Sequence, residues 1–278
     1  MVLEQLYSAD WIEQRSRYAF IMGFAYSIIG MASALFLFPE DPALVAVAFT
    51  SLLIVPSLNK LFSIEENKEA REQKFNLIEL FKDHIDLFNI YFFLFMGILV
   101  TFALFAVILP SVATSRLFEQ QLAIVGLAGK AYASYDTFLS ILSNNFRVLV
   151  FCFLASFIYG AGSIFIITWN ASVWGAVFGA VAKHSADVSG NPVIYLFVTL
   201  GAVFPHMFTE ASSYFLAAIS GGVISKATLR EKFGSPEFTR ILQDALILFG
   251  LALVVLVVAA YIEVYVTEKL MVLLNVRG

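Results

Sequence analysis

Hydrophobic residues in this chain fall into long blocks separated by short polar stretches, and the block lengths define the first elements. One block runs from about Arg17 to Phe38 and a second from Pro42 to about Leu58, joined by the turn Pro39-Glu40-Asp41-Pro42. A helix rises 1.5 Å per residue, so about 20 apolar residues cross a bilayer core about 30 Å thick. Both blocks approach that length, and the turn between them has room only for a hairpin. A third crossing is expected over Phe88 to Leu109, stopped by Pro110, and a fourth over Val148 to Thr168, with Gly160 and Gly162 inside it. Beyond Trp169 the apolar runs Ala171 to Ala182 and Pro192 to Phe204 are short, the length of re-entrant or interfacial segments. A complete helix fits between Pro205 and Ser225, and the final block, Ala245 to Val266, is the most apolar. The stretch 192–204 is either re-entrant or continuous with 206–225.

The polar stretches have patterns of their own. Between Lys60 and Asp86, apolar residues at Leu77, Leu80, Phe81, Ile85 and Leu87 recur at helical intervals, the signature of an amphipathic helix. His84 on that helix is expected to be solvated. Residues 111–145 read as a moderately polar helical segment with Leu117, Ile124, Phe138 and Leu142 in register. Three regions follow. Residues 1–110 hold the hairpin, the charged helix and the third span, 111–145 an extracytoplasmic segment, and 146–278 a membrane core.

Composition fits this reading. Of 278 residues, 60% are hydrophobic and 14% charged, against about 45–50% and 25% in soluble domains. The expected class is an all-α polytopic transmembrane bundle of about seven crossings with one broken or re-entrant segment. A formal net charge of −4 provides no global positive field for nucleic acid. A lone cysteine, Cys152, excludes an intrachain disulfide and any cysteine-built metal site. The first sixteen residues carry Glu4, Asp10 and Glu13, and the apolar run that follows is longer than a signal-peptide core. It is read as a retained first span.

Basic residues set an expected orientation. Arg15 and Arg17 precede the first crossing, Lys60, Lys68, Arg71, Lys74 and Lys82 follow the second, and Lys226, Arg230, Lys232 and Arg240 precede the last. The positive-inside rule puts all three clusters in the cytoplasm. The amino terminus is then cytoplasmic and the carboxyl terminus extracytoplasmic in a multi-pass protein of the cell membrane.

A few polar groups lie inside apolar surroundings: His206 with Glu210, Asn170, and Glu263. A charge at the bilayer centre costs roughly 2.5–3.5 kcal/mol on insertion scales, so such groups face inward and pair. His206 and Glu210 are four residues apart and share a helix face. If Pro205 opens a helix, both lie in its first turn, where the positive dipole end favours a carboxylate. In a helix continuous from residue 192, Glu263 is expected to lie too shallow to reach His206. The pairs Gly175/Gly179 and Ala218/Gly222 have small-xxx-small spacing and read as close helix packing. Trp11, Trp169 and Trp174 read as interface or packing aromatics. No phosphate-binding glycine loop, zinc-protease motif or nucleophile elbow is present. No catalytic residue, metal site or cofactor is implied, and the chain reads as a non-enzyme.

The run Asn144-Asn145-Phe146-Arg147, then Tyr159-Gly160-Ala161-Gly162-Ser163 and Trp169-Asn170, resembles the conserved block of the stage II sporulation protein M family. So do Pro205-His206-Met207-Phe208-Thr209-Glu210, Gly221-Gly222 and Ile262-Glu263. The likeness covers residues 135–267, with Ala171 and Met207 standing where the family has glycine. Phe38-Pro39, Glu65-Glu66 and His84 resemble features of its archaeal branch. The resemblance implies a membrane protein that is not itself a catalyst. In endospore-forming bacteria the founding member scaffolds wall-degrading enzymes, a role that organisms without spores do not share.

Two functions follow as expectations. One is a scaffold whose cytoplasmic 60–86 helix and outer 111–145 segment recruit protein partners. The other is a small transporter or channel-like protein that uses a buried His206–Glu210 site at a helix break.

Overall fold

A computed structural model describes residues 15–69, 77–127 and 135–273 of the chain. Among them no strand occurs, and seven helices are long and apolar enough to cross a membrane. The elements are α1 (Tyr18–Leu37), α2 (Pro42–Glu69), α3 (Leu77–Ile108), α4 (Ser111–Leu117), α5 (Glu119–Leu127), α6 (Tyr135–Tyr159), α7 (Ile164–Ser189), α8 (Pro192–Arg230) and α9 (Pro236–Ile262). A π-helical turn, Glu263–Thr267, then leads into α10 (Glu268–Leu273). The chain is a polytopic helical bundle.

Two helices organise it. The first, α3, packs against α1 and α7, and the second, α8, against α6, α7 and α9. Every residue of α8 from Glu210 to Ser225 is buried. Aromatic rings join the two: Phe215 of α8 stacks on Tyr91 of α3 at 5.7 Å and meets Phe95 edge-on at 5.6 Å. Such ring pairs add to the dispersion that holds helices together in lipid.

Several expected boundaries move. The fourth crossing is not Val148–Thr168. Tyr159 ends α6, Gly160 takes a left-handed φ of 61°, and α7 begins at Ile164. A Cβ at Gly160 would lie 2.7 Å from Asn59 Oδ1, and that oxygen accepts a hydrogen bond of 3.1 Å from the Ala161 N–H. The turn therefore needs glycine for both conformation and space. The span moves back to Asp136–Tyr159, and the expected division at residues 145/146 falls inside α6.

The helix expected to open at Pro205 opens instead at Pro192, capped by the Asn191 side chain on Val193 N–H at 2.9 Å. It runs on for 39 residues with Pro205 inside it, so 192–204 is continuous with 206–225 and not re-entrant. Glu210 thus lies mid-helix, away from any dipole end. Membrane helices tolerate an internal proline where neighbouring groups take up the freed carbonyls.

His84, expected to be solvated, is 3% exposed. It begins the apolar part of α3. Of the 60–86 segment, residues 70–76 and the side chains of 63–83 lie outside the described residues, as does Trp11. In the 111–145 segment, α4 and α5 lie over one end of the bundle with Leu117, Phe118 and Gln121 buried. The Gln121 amide reaches the Ala43 carbonyl and Ser172 Oγ, each at 3.4 Å.

Candidate functional site: a buried polar seam

The polar groups of the second half of the chain gather where α6, α8 and the π-helical turn meet. Glu210, buried on α8, uses both carboxylate oxygens. Asn145 Nδ2 of α6 donates to Oε2 at 3.0 Å, and Tyr214 Oη, one turn along α8, donates to Oε1 at 2.9 Å. Asn144 Nδ2 donates to Asn145 Oδ1 at 3.3 Å, although Asn144 itself is exposed. A buried carboxylate without such donors would bear the full desolvation penalty.

One turn before Glu210, His206 takes a different partner. Its Nδ1 shares a hydrogen bond of 2.9 Å with Thr267 Oγ1, which in turn donates to the Ile262 carbonyl at 3.3 Å. The Trp174 ring of α7 stands edge-on to the imidazole, 6.3 Å between centroids. His206 and Glu210 therefore share a helix face but have separate partners. Glu263, at the first residue of the π-helical turn, lies within electrostatic range of Glu210. With α8 continuous, His206 meets Thr267, four residues beyond Glu263, while Glu263 faces Glu210. Single π turns inside helices are recurrent local distortions.

The other expected residues lie elsewhere. Asn170 is on α7 and donates to its own helix at the Ile166 carbonyl, 2.8 Å away. Pro205 precedes His206, and its carbonyl accepts from Thr209 Oγ1 at 2.6 Å. Gly175 and Gly179 face α3. A Cβ on Gly175 would lie 2.5 Å from the Leu99 carbonyl, and one on Gly179 would lie 2.6 Å from that of Ala103. Added to Gly221 or Gly222, it would meet the Phe153 carbonyl of α6 or the Phe62 ring of α2. Gly162 lies tight against Ala155 and Tyr159. Met207 and Ala171, which replace glycines of the resembled pattern, are both buried.

Tyr214 and Thr267 escape the sequence reading. Tyr214 was legible as the residue four beyond Glu210. Thr267 lies on the π-helical turn, and nothing local in the sequence marks that turn. Ser220 adds a further tie, donating to the Ala245 carbonyl of α9 at 2.6 Å. At the other end of α7, Lys183 Nζ donates to the Leu109 carbonyl, closing the end of α3.

Seven apolar helices around a buried polar seam define a polytopic membrane protein. The chain belongs to the stage II sporulation protein M family, which it matches over residues 90–268, from within α3 through the π-helical turn. It is also similar to an uncharacterized protein of the archaeon Methanocaldococcus jannaschii, 29% identical over 136 residues. That alignment covers 48% of this chain and 72% of the relative, and it fits the archaeal branch. No solved structure matches the chain.

Proposed function

We propose that this protein is a non-enzymatic membrane scaffold that recruits or organises other membrane or envelope proteins. The observation behind the proposal is that the seam is occupied by its own side chains: Glu210 Oε2 and His206 Nδ1 are taken up in bonds between elements, and Glu210 Oε1 in a bond within α8. Interhelical polar bonds of this kind hold membrane helices in one arrangement. A rigid frame suits a protein that positions others. Asn59, the Gly160 turn and Lys226 meet at one end of the bundle, which we take as the cytoplasmic end on the charge rule. The 60–86 segment then offers itself to cytoplasmic partners, and 111–127 to partners outside.

The test is in-cell crosslinking and co-purification from membranes, paired with deletion of the protein. Reproducible partners that lose their localisation on deletion are expected. No reproducible partner, together with normal localisation of other membrane proteins, overturns the proposal.

A second reading keeps one observation in its favour. Pro205 and the π-helical turn, two helix irregularities, stand side by side through His206 and Thr267, and broken helices mark binding sites in transporters. Proton or cation flux into reconstituted vesicles, abolished by Glu210→Gln, would establish it; absence of flux, or flux unchanged by that substitution, removes it.

A further inference from the structure

Of the spans, α6 presents the least of its surface to the bundle. Ser140, Asn144, Arg147, Phe151, Leu154 and Ile158, spaced alternately four and three residues apart, form one exposed stripe along it. Its far half is apolar and suits lipid, whereas Ser140, Asn144 and Arg147 do not. Arg147 is twelve residues from Tyr159 and twelve from Tyr135, about 18 Å from either end. It therefore lies at the midpoint of this span, whichever way the protein is inserted. Among the described residues, nothing gives its guanidinium a hydrogen bond or ion pair. A charge at that depth is normally turned inward and paired.

Beside this stripe, between α6 and α9, runs an apolar groove of about 290 Å³, walled by Leu139, Leu142 and Phe146 on one side and Leu253, Leu256 and Val257 on the other. Ser143 also lines it, and Arg147 stands one turn deeper than Ser143 on nearly the same face. The order of these features selects the occupant. A phospholipid with an acyl chain in the groove would keep its phosphate beyond Leu139, about 12 Å along the helix from Arg147 and next to acidic Asp136. A second copy meeting this stripe about a two-fold axis would bring the two arginines to one depth, where like charges repel. A helix from another protein meets neither difficulty. It can seat apolar side chains in the groove and present a carboxylate one turn deeper.

We infer that the groove between α6 and α9, together with Asn144 and Arg147, is the seat for a transmembrane helix of another protein carrying an acidic residue near the bilayer midplane. The inference rests on the scaffold reading and names its docking surface. Bidentate pairing of a guanidinium with a carboxylate provides the specificity.

The test uses the full chain in phosphatidylcholine vesicles with a labelled leucine–alanine transmembrane peptide bearing Glu at its central position, read by energy transfer from the protein. The Glu peptide is expected to bind at least tenfold more tightly than the same peptide with Gln. Arg147→Gln is expected to remove that preference, and Arg147→Glu to transfer it to a Lys peptide. Equal binding of Glu and Gln peptides to the unaltered chain overturns the inference, whether or not any variant folds. It is equally overturned by self-association that Arg147→Gln abolishes, or by Arg147-dependent enrichment of phosphatidylglycerol without peptide preference. None of these results touches the co-purification test of the scaffold reading, since a scaffold can hold partners through other surfaces.

Discussion

α3 and α8 each hold their neighbours, but by different means. The α3 side works by close backbone approach. Gly23 of α1 and Gly97 of α3 fit against each other's helices, where a Cβ on Gly23 would lie 2.5 Å from the Leu94 carbonyl and one on Gly97 would strike the carbonyl of Phe20. Gly175 and Gly179 repeat this arrangement between α7 and α3. The α8 side uses close approach at Gly221 and Gly222 and adds a line of side-chain bonds from His206 through Glu210 to Ser220. Lipid tails are as apolar as leucine, so burial of apolar surface drives neither association. Contact density holds one side, and satisfaction of polar groups defines the register of the other.

The largest effect that would test this contrast lies on the close-packed side. Gly97→Leu is expected to destabilise the bundle by about 1–3 kcal/mol or prevent folding, because rigid backbone stands where the side chain must go. Thermal unfolding in detergent measures it. Glu210→Ala strands the Asn145 amide and the Tyr214 hydroxyl and is expected to cost about 1–2 kcal/mol. Glu210→Gln, which keeps an acceptor for one of them, should cost less. A larger loss for Glu210→Ala than for Gly97→Leu would reverse the comparison. Gly160→Ala, at the left-handed turn, should cost about 1 kcal/mol, with Asn59→Ala additive only in part because the two share one contact. Thr267→Val is expected to be the smallest, about 0.6 kcal/mol. Its diagnostic readout is cysteine crosslinking between α8 and the π-helical turn: if crosslinking efficiency does not change, His206–Thr267 is not what holds that turn in place.

The helical class and most crossings were legible because their apolar blocks are long. α7 was not, since its apolar residues were divided between the end of the expected fourth crossing and the short run Ala171–Ala182, which the structure joins into one span, Ile164–Ala186. The edges of the crossings were less legible, and for a specific reason. Asp136 to Arg147 looks like a surface segment because it carries serines, asparagines and an arginine, yet it is the first half of α6. One of its amides, Asn145, is buried against Glu210, and the rest faces outward. Pro205 looked like a helix start because proline favours a first turn. Here Asn191-Pro192 already supplies that start, and Thr209 bonds the Pro205 carbonyl within an unbroken helix. Glu210 and His206 stood out as polar residues in apolar sequence, while their partners on α6 and beyond α9 depended on tertiary placement that local spacing does not encode.

The brevity of the Gly160–Ser163 turn also bears on biosynthesis. Only four residues separate the last residue of α6 from the first of α7, too few to form a loop that waits in water while one helix enters the membrane alone. α6 and α7 therefore enter the bilayer in immediate succession, although in the finished bundle α6 packs chiefly on α8 and α7 chiefly on α3. The polar half of α6 is costly to insert, and its Asn145 is paired only once α8 follows. Lengthening that turn with a flexible linker would let α6 and α7 partition separately, and the cost would appear as a topology defect of α6 during synthesis rather than as a weaker finished bundle.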